Sequence, residues 1–369
     1  MKPVLFNLTE AELAQFVVSR GLPKFRAAQI REWLSRGAPD FMSMKNLPET
    51  LRRDLDASAQ TLPVKIIRRL DSADGETTKF LLELTDGEQI ECVLMRTTYG
   101  NSVCVSSQAG CAMGCRFCAS TLLGLKRNLT ANEIFAQVLC AQWELRRTRA
   151  DKTNIRPNGD ANNGDVSHIV IMGTGEPLQN TENVIDFIER ANKDLGIGWR
   201  RITLSTCGIV PGIRRLIEWG RPINLAISLH APTDELRGQI MPINNKYHLG
   251  DVMAAADDFT ALHNRQLMIE YILLGRKNSD GQTELFNATP EYAEKLSALL
   301  RGKNCMVNLI PWNAVDERDF ASPSGNAVHR FQDVLINNGI HTRIRRERGT
   351  DIGSACGQLR LNNARKDNK

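Results

Sequence analysis

Three thiols crowd into one short stretch, Cys111-Ala112-Met113-Gly114-Cys115-Arg116-Phe117-Cys118, of a chain that otherwise spreads its cysteines thinly. Cys-x-x-Cys spacing serves redox exchange or metal binding, and a third thiol so close would scramble an internal disulfide, so metal ligation is the better reading. Tetrahedral zinc would need a fourth ligand, conceivably Cys104 or a distant histidine, and zinc sites usually pair two such motifs far apart. An iron-sulfur cluster is held by cysteine thiolates, and three ligands on a 4Fe-4S cube leave one iron open to a substrate. Ligand softness and spacing place the cluster first, zinc second and unligated thiols last. The nine cysteines are odd in number and unevenly spaced. That is not a secreted disulfide framework, and a reducing, cytoplasmic compartment is expected.

The elements around the motif decide where such a centre would stand. The run "SVCVSSQ" reads as a strand leading into the cysteines, and "GTGEPL", residues 173–178, follows the next strand, "SHIVIMG", in the same way. Loops at the carboxyl ends of parallel strands build the active sites of βα barrels. Gly173 and Gly175 suggest a dinucleotide loop, but Leu178 stands where that fingerprint needs its third glycine, so a nucleotide-phosphate reading is weak. Strands and helices alternate over the last two-thirds of the chain, giving roughly six or seven βα units and predicting a parallel barrel or a doubly wound sheet. Before them, residues 64–96 read as a β-meander with hairpin signals at Asp74-Gly75 and Asp86-Gly87. The opening residues form a small helical module, with Thr9 and Glu12 in capping-box spacing, stops at Gly21 and Gly37, and a further start at Pro48. The polar stretch 150–167 is expected to be a surface insertion.

Composition excludes several classes. With 42% hydrophobic and 24% charged residues the chain is neither disordered nor fibrous. It shows no long uncharged apolar run and no secretory signal, so neither a membrane span nor export is expected. The net charge of +5 is modest, but Arg343, Arg345, Arg346, Arg348, Arg360, Arg365, Lys366 and Lys369 concentrate it near the end. Such a segment suits a polyanionic partner or is simply a solvated tail.

Taken in order, "VSSQAGCAMGCRFCAS", "GTGEPLQN", "LSTCG", "AISLHAP", "MPIN", "NLIPWN" and "ACGQL" resemble the radical S-adenosylmethionine (SAM) enzymes, and among them the RlmN adenine methyltransferases. The resemblance runs from the helical module to Gln358. It implies an α/β fold: a radical-SAM partial (β/α)6 barrel over residues 98–348. Around it stand a helical accessory, RNA-binding domain (1–60), a β-meander connector (61–97) and a C-terminal segment (349–369). Cys111, Cys115 and Cys118 are then the implied ligands of one 4Fe-4S cluster whose open iron chelates SAM. Gly175, Glu176, Ser205, Ser228, Leu229, His230 and Asn313 match SAM-contacting positions, and a carboxylate at Glu176 suits the cationic amino group.

The resemblance also implies a reaction. Cys356 accepts a methyl group from one SAM, and a second SAM is cleaved to a deoxyadenosyl radical that takes a hydrogen from the S-methyl group. The resulting carbon radical attacks carbon 2 of adenine, a position between two electron-withdrawing nitrogens that ordinary polar methyl transfer should not reach. Glu91 matches the proton acceptor at carbon 2. Cys104 matches the thiol that releases the product by forming a disulfide with Cys356. Cys92, Cys140, Cys207 and Cys305 read as core thiols. The implied substrates are an adenine in the peptidyl-transferase region of 23S rRNA and the adenine beside the anticodon of tRNAs, with Lys24, Arg26, Arg52 and Arg53 holding phosphates. A one-electron reductant such as flavodoxin or ferredoxin is needed, and a monomeric cytoplasmic enzyme is expected. Two readings compete: a Cfr-like carbon-8 methylase, against which the proline of "GTGEPL" and the run "NLIPWN" weigh, and a zinc-stabilised RNA-binding module.

Overall fold

The structure, a computed structural model, describes residues 2–150, 164–346, 349–352 and 357–367. Cys356 and most of the polar stretch 150–167 lie outside the described residues. Three helices open the chain: α1 (Glu10–Val18), α2 (Phe25–Ser35) and α3 (Glu49–Ser58). The capping box forms as the sequence predicts, with Thr9 N–H donating to Glu12 Oε2 at 2.7 Å and Glu12 N–H to Thr9 Oγ1 at 3.3 Å. α1 buries Leu13 and Val17, and α2 buries Ala27, Ile30 and Leu34.

The meander follows as β1 (Val64–Asp71), β2 (Thr77–Leu84) and β3 (Gln89–Thr97), antiparallel throughout. It does not stop there. β4 (Gly100–Cys104) pairs antiparallel with β3 on one side and parallel with β7 (Val166–Ile171) on the other. The meander is therefore continuous with the parallel sheet. Between β4 and β7 lie the small pair β5 (Gln108–Ala109) and β6 (Arg127–Asn128), the cysteine motif, and α4 (Ala131–Ala150).

Beyond β7 the alternation runs α5 (Thr181–Leu195), β8 (Ile202–Thr206), α6 (Val210–Trp219), β9 (Asn224–Ser228), α7 (Asp234–Ile240), α8 (Leu249–His263) and β10 (Leu267–Leu273). A small antiparallel pair, β11 (Gly275–Lys277) and β12 (Thr283–Leu285), precedes α9 (Pro290–Leu300), β13 (Cys305–Pro311), α10 (Gly325–Asn337), β14 (Thr342–Ile344) and α11 (Gln358–Asp367). The ten-stranded sheet has the order β1-β2-β3-β4-β7-β8-β9-β10-β13-β14, parallel from β4 onward. β1 and β14 remain its two edges, so the barrel is partial.

The helical module is seated on α4. Phe6 stacks on Phe135 with ring centroids 6.0 Å apart, and Arg190 from α5 lies over both rings. Gly37 has φ +82°, and a Cβ there would stand 2.5 Å from the Leu139 carbonyl oxygen. Only glycine allows the turn to rest on α4 so closely. No described helix is long and apolar enough to cross a membrane.

Candidate active site

Cys111 and Cys115 are each 8% exposed and Cys118 is half-buried; all three are free thiols. Burial pushes the Cys111 thiol up to about 12, with smaller contributions from the neighbouring Cys118 and Glu176. Cys115 is raised as well, first by burial and then by Cys118 and Cys111. Sulfurs that disfavour anionic form in isolation become thiolates when a metal coordinates them. The donor set fits a thiolate-ligated cluster. No described group of three or more His, Cys, Asp or Glu side chains is arranged to hold a single metal ion.

Four contacts frame the loop. Arg116 N–H donates to the Ile240 carbonyl at the end of α7 (2.9 Å), and Cys111 N–H to that of Gly124 (3.2 Å). Trp312, just past β13, donates Nε1–H to the Phe117 carbonyl at 3.1 Å, and Arg318 reaches the Cys118 carbonyl and Thr121 Oγ1, both at 2.6 Å. Cys207 was expected to be a core thiol and is buried, but its sulfur lies 3.4 Å from that of Met113, inside the cysteine motif.

The expected SAM-contacting residues gather at the carboxyl ends of the parallel strands. Gly175, with φ +111°, lies so close to Gln108 that a Cβ would meet its side chain at 2.6 Å. The Glu176 carboxylate is buried and turned inward: it accepts from Leu178 N–H (3.0 Å), Thr206 Oγ1 (2.7 Å) and Cys207 N–H (2.8 Å). Burial raises its pKa, and these hydrogen bonds oppose the rise. The two carboxylate oxygens offer about four acceptor positions, so these three hydrogen bonds leave room for a further donor. Ser205 and Ser228 hydroxyls stand 3.2 Å apart at the ends of β8 and β9. Leu229 is fully buried, and His230 follows with φ +61°, a backbone conformation unusual for histidine. His230 Nδ1 accepts from Ile272 N–H at 3.0 Å, and burial followed by the charge of Arg237 lowers its pKa to about 3. The ring is thus neutral with its proton on Nε2. Asn313 lies in the loop between Trp312 and Arg318.

Glu91, on β3, is not on a solvated face. It is 4% exposed and ion-paired at 2.9 Å with Lys79 of β2, itself 1% exposed. Its carboxylate also accepts from Gly357 N–H at 3.0 Å and Arg360 N–H at 2.7 Å, capping the start of α11. Lys79, Val93 and Cys104 are register partners across β2, β3 and β4, and Glu91 lies two residues from Val93 on the same face. Glu91 and buried Cys104 therefore share one face of the sheet. Gly357, the residue after Cys356, has φ +85°, and a Cβ there would lie 2.8 Å from Ser120 N, two residues beyond Cys118. Arg360, counted with the basic tail in the sequence, is 6% exposed and bonded to Glu88 at 3.0 Å, so it is not free to meet a polyanion. Sequence reasoning also missed Lys79, whose signal was a single cation within the otherwise apolar "TTKFLLEL", and Arg237 and Arg318, which carried none. No disulfide joins any described cysteines.

This geometry can be set beside known proteins. A family model described as the ribosomal RNA large subunit methyltransferase N-terminal domain matches residues 4–61. Over 360 residues the chain is 43% identical to a Clostridium acetobutylicum protein named "Probable dual-specificity RNA methyltransferase RlmN", covering 97% of each chain. A Geobacillus kaustophilus protein of the same name is 45% identical over 370 residues, covering 100% of this chain and 95% of its own. The crystal structure of a radical SAM methyltransferase from Sphaerobacter thermophilus matches with a TM-score of 0.80 at 40% identity, covering 96% of this chain and 98% of that one.

Proposed function

The chain belongs to the RlmN family of radical SAM RNA methyltransferases, and on that premise we propose that it methylates carbon 2 of adenine in 23S rRNA and tRNA, with Cys356 as methyl carrier. The observation that carries this reading is the seat of Gly357, the residue after Cys356 in the sequence: its N–H donates to Glu91, and a Cβ on it would lie 2.8 Å from Ser120 N, so Gly357 itself stands between the proposed proton acceptor and the cysteine motif.

When bound by Cys111, Cys115 and Cys118, a 4Fe-4S cluster supplies the single electron that cleaves SAM. The chain's own residues do the rest. Ser205, Ser228 and the Leu229-His230 backbone line the strand ends where SAM would lie, and Asn313 flanks them from the loop after β13. Gly175 and Glu176, just past β7, would hold the SAM ammonium, the carboxylate supplying the complementary charge. Glu91, held by Lys79 and by the amides of Gly357 and Arg360, would accept the carbon 2 proton. Cys104, on the face of the sheet that Glu91 occupies, would form the disulfide with Cys356 that frees the RNA. A reductant of the flavodoxin or ferredoxin kind and a monomeric, cytoplasmic enzyme belong to the same reading.

Anaerobic purification followed by peptide mass spectrometry tests it. The protein should carry about four irons per chain, and the Cys356 peptide should carry an added methylene mass that Cys356→Ala lacks. Colourless protein with one zinc, or a peptide never methylated in cells, contradicts the proposal.

A further inference from the structure

Arg237 of α7 is fully buried, and its guanidinium is spent on neutral acceptors. Nε donates to the Leu229 carbonyl (3.1 Å), Nη1 to Asn244 Oδ1 (3.0 Å), and Nη2 to the carbonyls of Cys207 (2.6 Å) and Ser228 (3.3 Å). Among the described residues no carboxylate hydrogen-bonds it: Asp234, which accepts Leu249 N–H at 2.8 Å, acts on it only through space, and Glu176 holds Thr206 and Cys207. A buried cation bonded only to neutral groups is costly, and a negative charge arriving nearby would offset that cost.

The contacts lead to the cysteine motif. Cys207, whose carbonyl Arg237 holds, has its sulfur 3.4 Å from Met113, between Cys111 and Cys115. Ile240, three residues along the same helix, accepts the Arg116 N–H at 2.9 Å.

We propose that Arg237 is a positioning residue and the built-in counter-charge of the cluster: it ties the ends of β8 and β9 to the loop that holds the cysteines, and its charge favours the reduced cluster. This rests on the cluster reading above. A cube held by three thiolates is anionic, and the electron delivered by an external one-electron reductant adds one further negative charge. A fixed cation nearby therefore raises the reduction potential.

The test is an EPR-monitored redox titration of the reconstituted protein with dithionite and mediators, without SAM, for the parent chain, Arg237→Gln and Arg237→Lys. Both variants lose the guanidinium fork, and only Lys keeps the charge. At the parent's midpoint, the reduced-to-oxidised ratio should fall about tenfold in Arg237→Gln, a downward shift of about 59 mV for one electron. Arg237→Lys should titrate close to the parent. Failure of Arg237→Gln to hold iron while Arg237→Lys holds it at the parent potential also supports a need for charge. A loaded Arg237→Gln with the parent's potential overturns the proposal, as does equal loss of cluster in both variants, which would mark a purely structural role. Parent protein that binds no iron would instead sink the cluster reading itself.

Discussion

At the scale of single residues the account turns on charges that water cannot reach. Lys79 and Glu91 are 1% and 4% exposed and 2.9 Å apart, so each is the other's solvation. Lys79→Met should therefore cost about 3–5 kcal/mol in urea unfolding, because it strands a buried carboxylate. The double variant Lys79→Met/Glu91→Gln should recover much of that loss. His230 gives a pH test. Its folded pKa is lowered to about 3 from 6.5, so the unfolded chain binds a proton that the folded chain refuses. That contribution to stability is complete above 6.5 and is lost as pH falls toward 3. His230→Asn keeps an acceptor for Ile272 N–H and tolerates positive φ. Its melting temperature should fall less than the parent's between those pH values; an identical fall would mean that His230 does not shape the acid limb. The cysteines differ in the same concrete way. Cys111→Ala, Cys115→Ala or Cys118→Ala should remove iron, whereas Cys140→Ala, buried away from the motif, should not. Cys104→Ala should bind iron and attack RNA but trap it covalently, and a gel showing RNA-free, normally active protein would remove Cys104 from the release step.

At the scale of elements, the parts that obey local rules were legible in the sequence. The capping box at Thr9, the glycine stops at Gly21 and Gly37, and the turns at Gly75 and Gly87, all with positive φ, came through as read. The cysteine motif stood out because metal spacing is short-range. What could not be read was burial. Arg360 and Lys79 look like any surface cation until α11 and β2 are folded against β3, and the inward turn of Glu176 depends on Thr206 and Cys207, thirty residues on. The meander's continuity with the barrel was equally hidden, since β4 owes its double role to pairing with β7, more than sixty residues later in the chain. Packing between elements yields a further prediction. Gly37→Ala combines an unfavourable φ with a clash against the Leu139 carbonyl, so it should destabilise the chain by about 1–3 kcal/mol in thermal or urea unfolding. A neutral result would show that the helical module rests on α4 more loosely than these contacts indicate.

At the scale of the whole molecule, the sheet presents the cysteine motif and the strand ends on one side, and the helical module packs on α4 beside them. Arg20 and Lys24 are exposed on that module, next to Phe25 at 57% exposure, whereas Arg52 bonds the Met42 carbonyl and Arg53 pairs with Glu49. Arg20, which bonds the Phe16 carbonyl at 3.2 Å, adds a further exposed cation to those expected to hold phosphates, Lys24, Arg26, Arg52 and Arg53. Reversing Arg20 and Lys24 to Glu should weaken RNA binding and flatten its salt dependence without loss of iron; unchanged binding would move the RNA surface elsewhere. Methylation at carbon 2 and at carbon 8 gives different nucleosides, so the product decides. The most direct measurement is nucleoside mass spectrometry of 23S rRNA and tRNA from cells lacking the gene, complemented with the parent chain or with Cys356→Ala. The account predicts 2-methyladenosine with the parent chain and none with Cys356→Ala or the empty strain. Appearance of 8-methyladenosine instead, or 2-methyladenosine that persists without the gene, would contradict it.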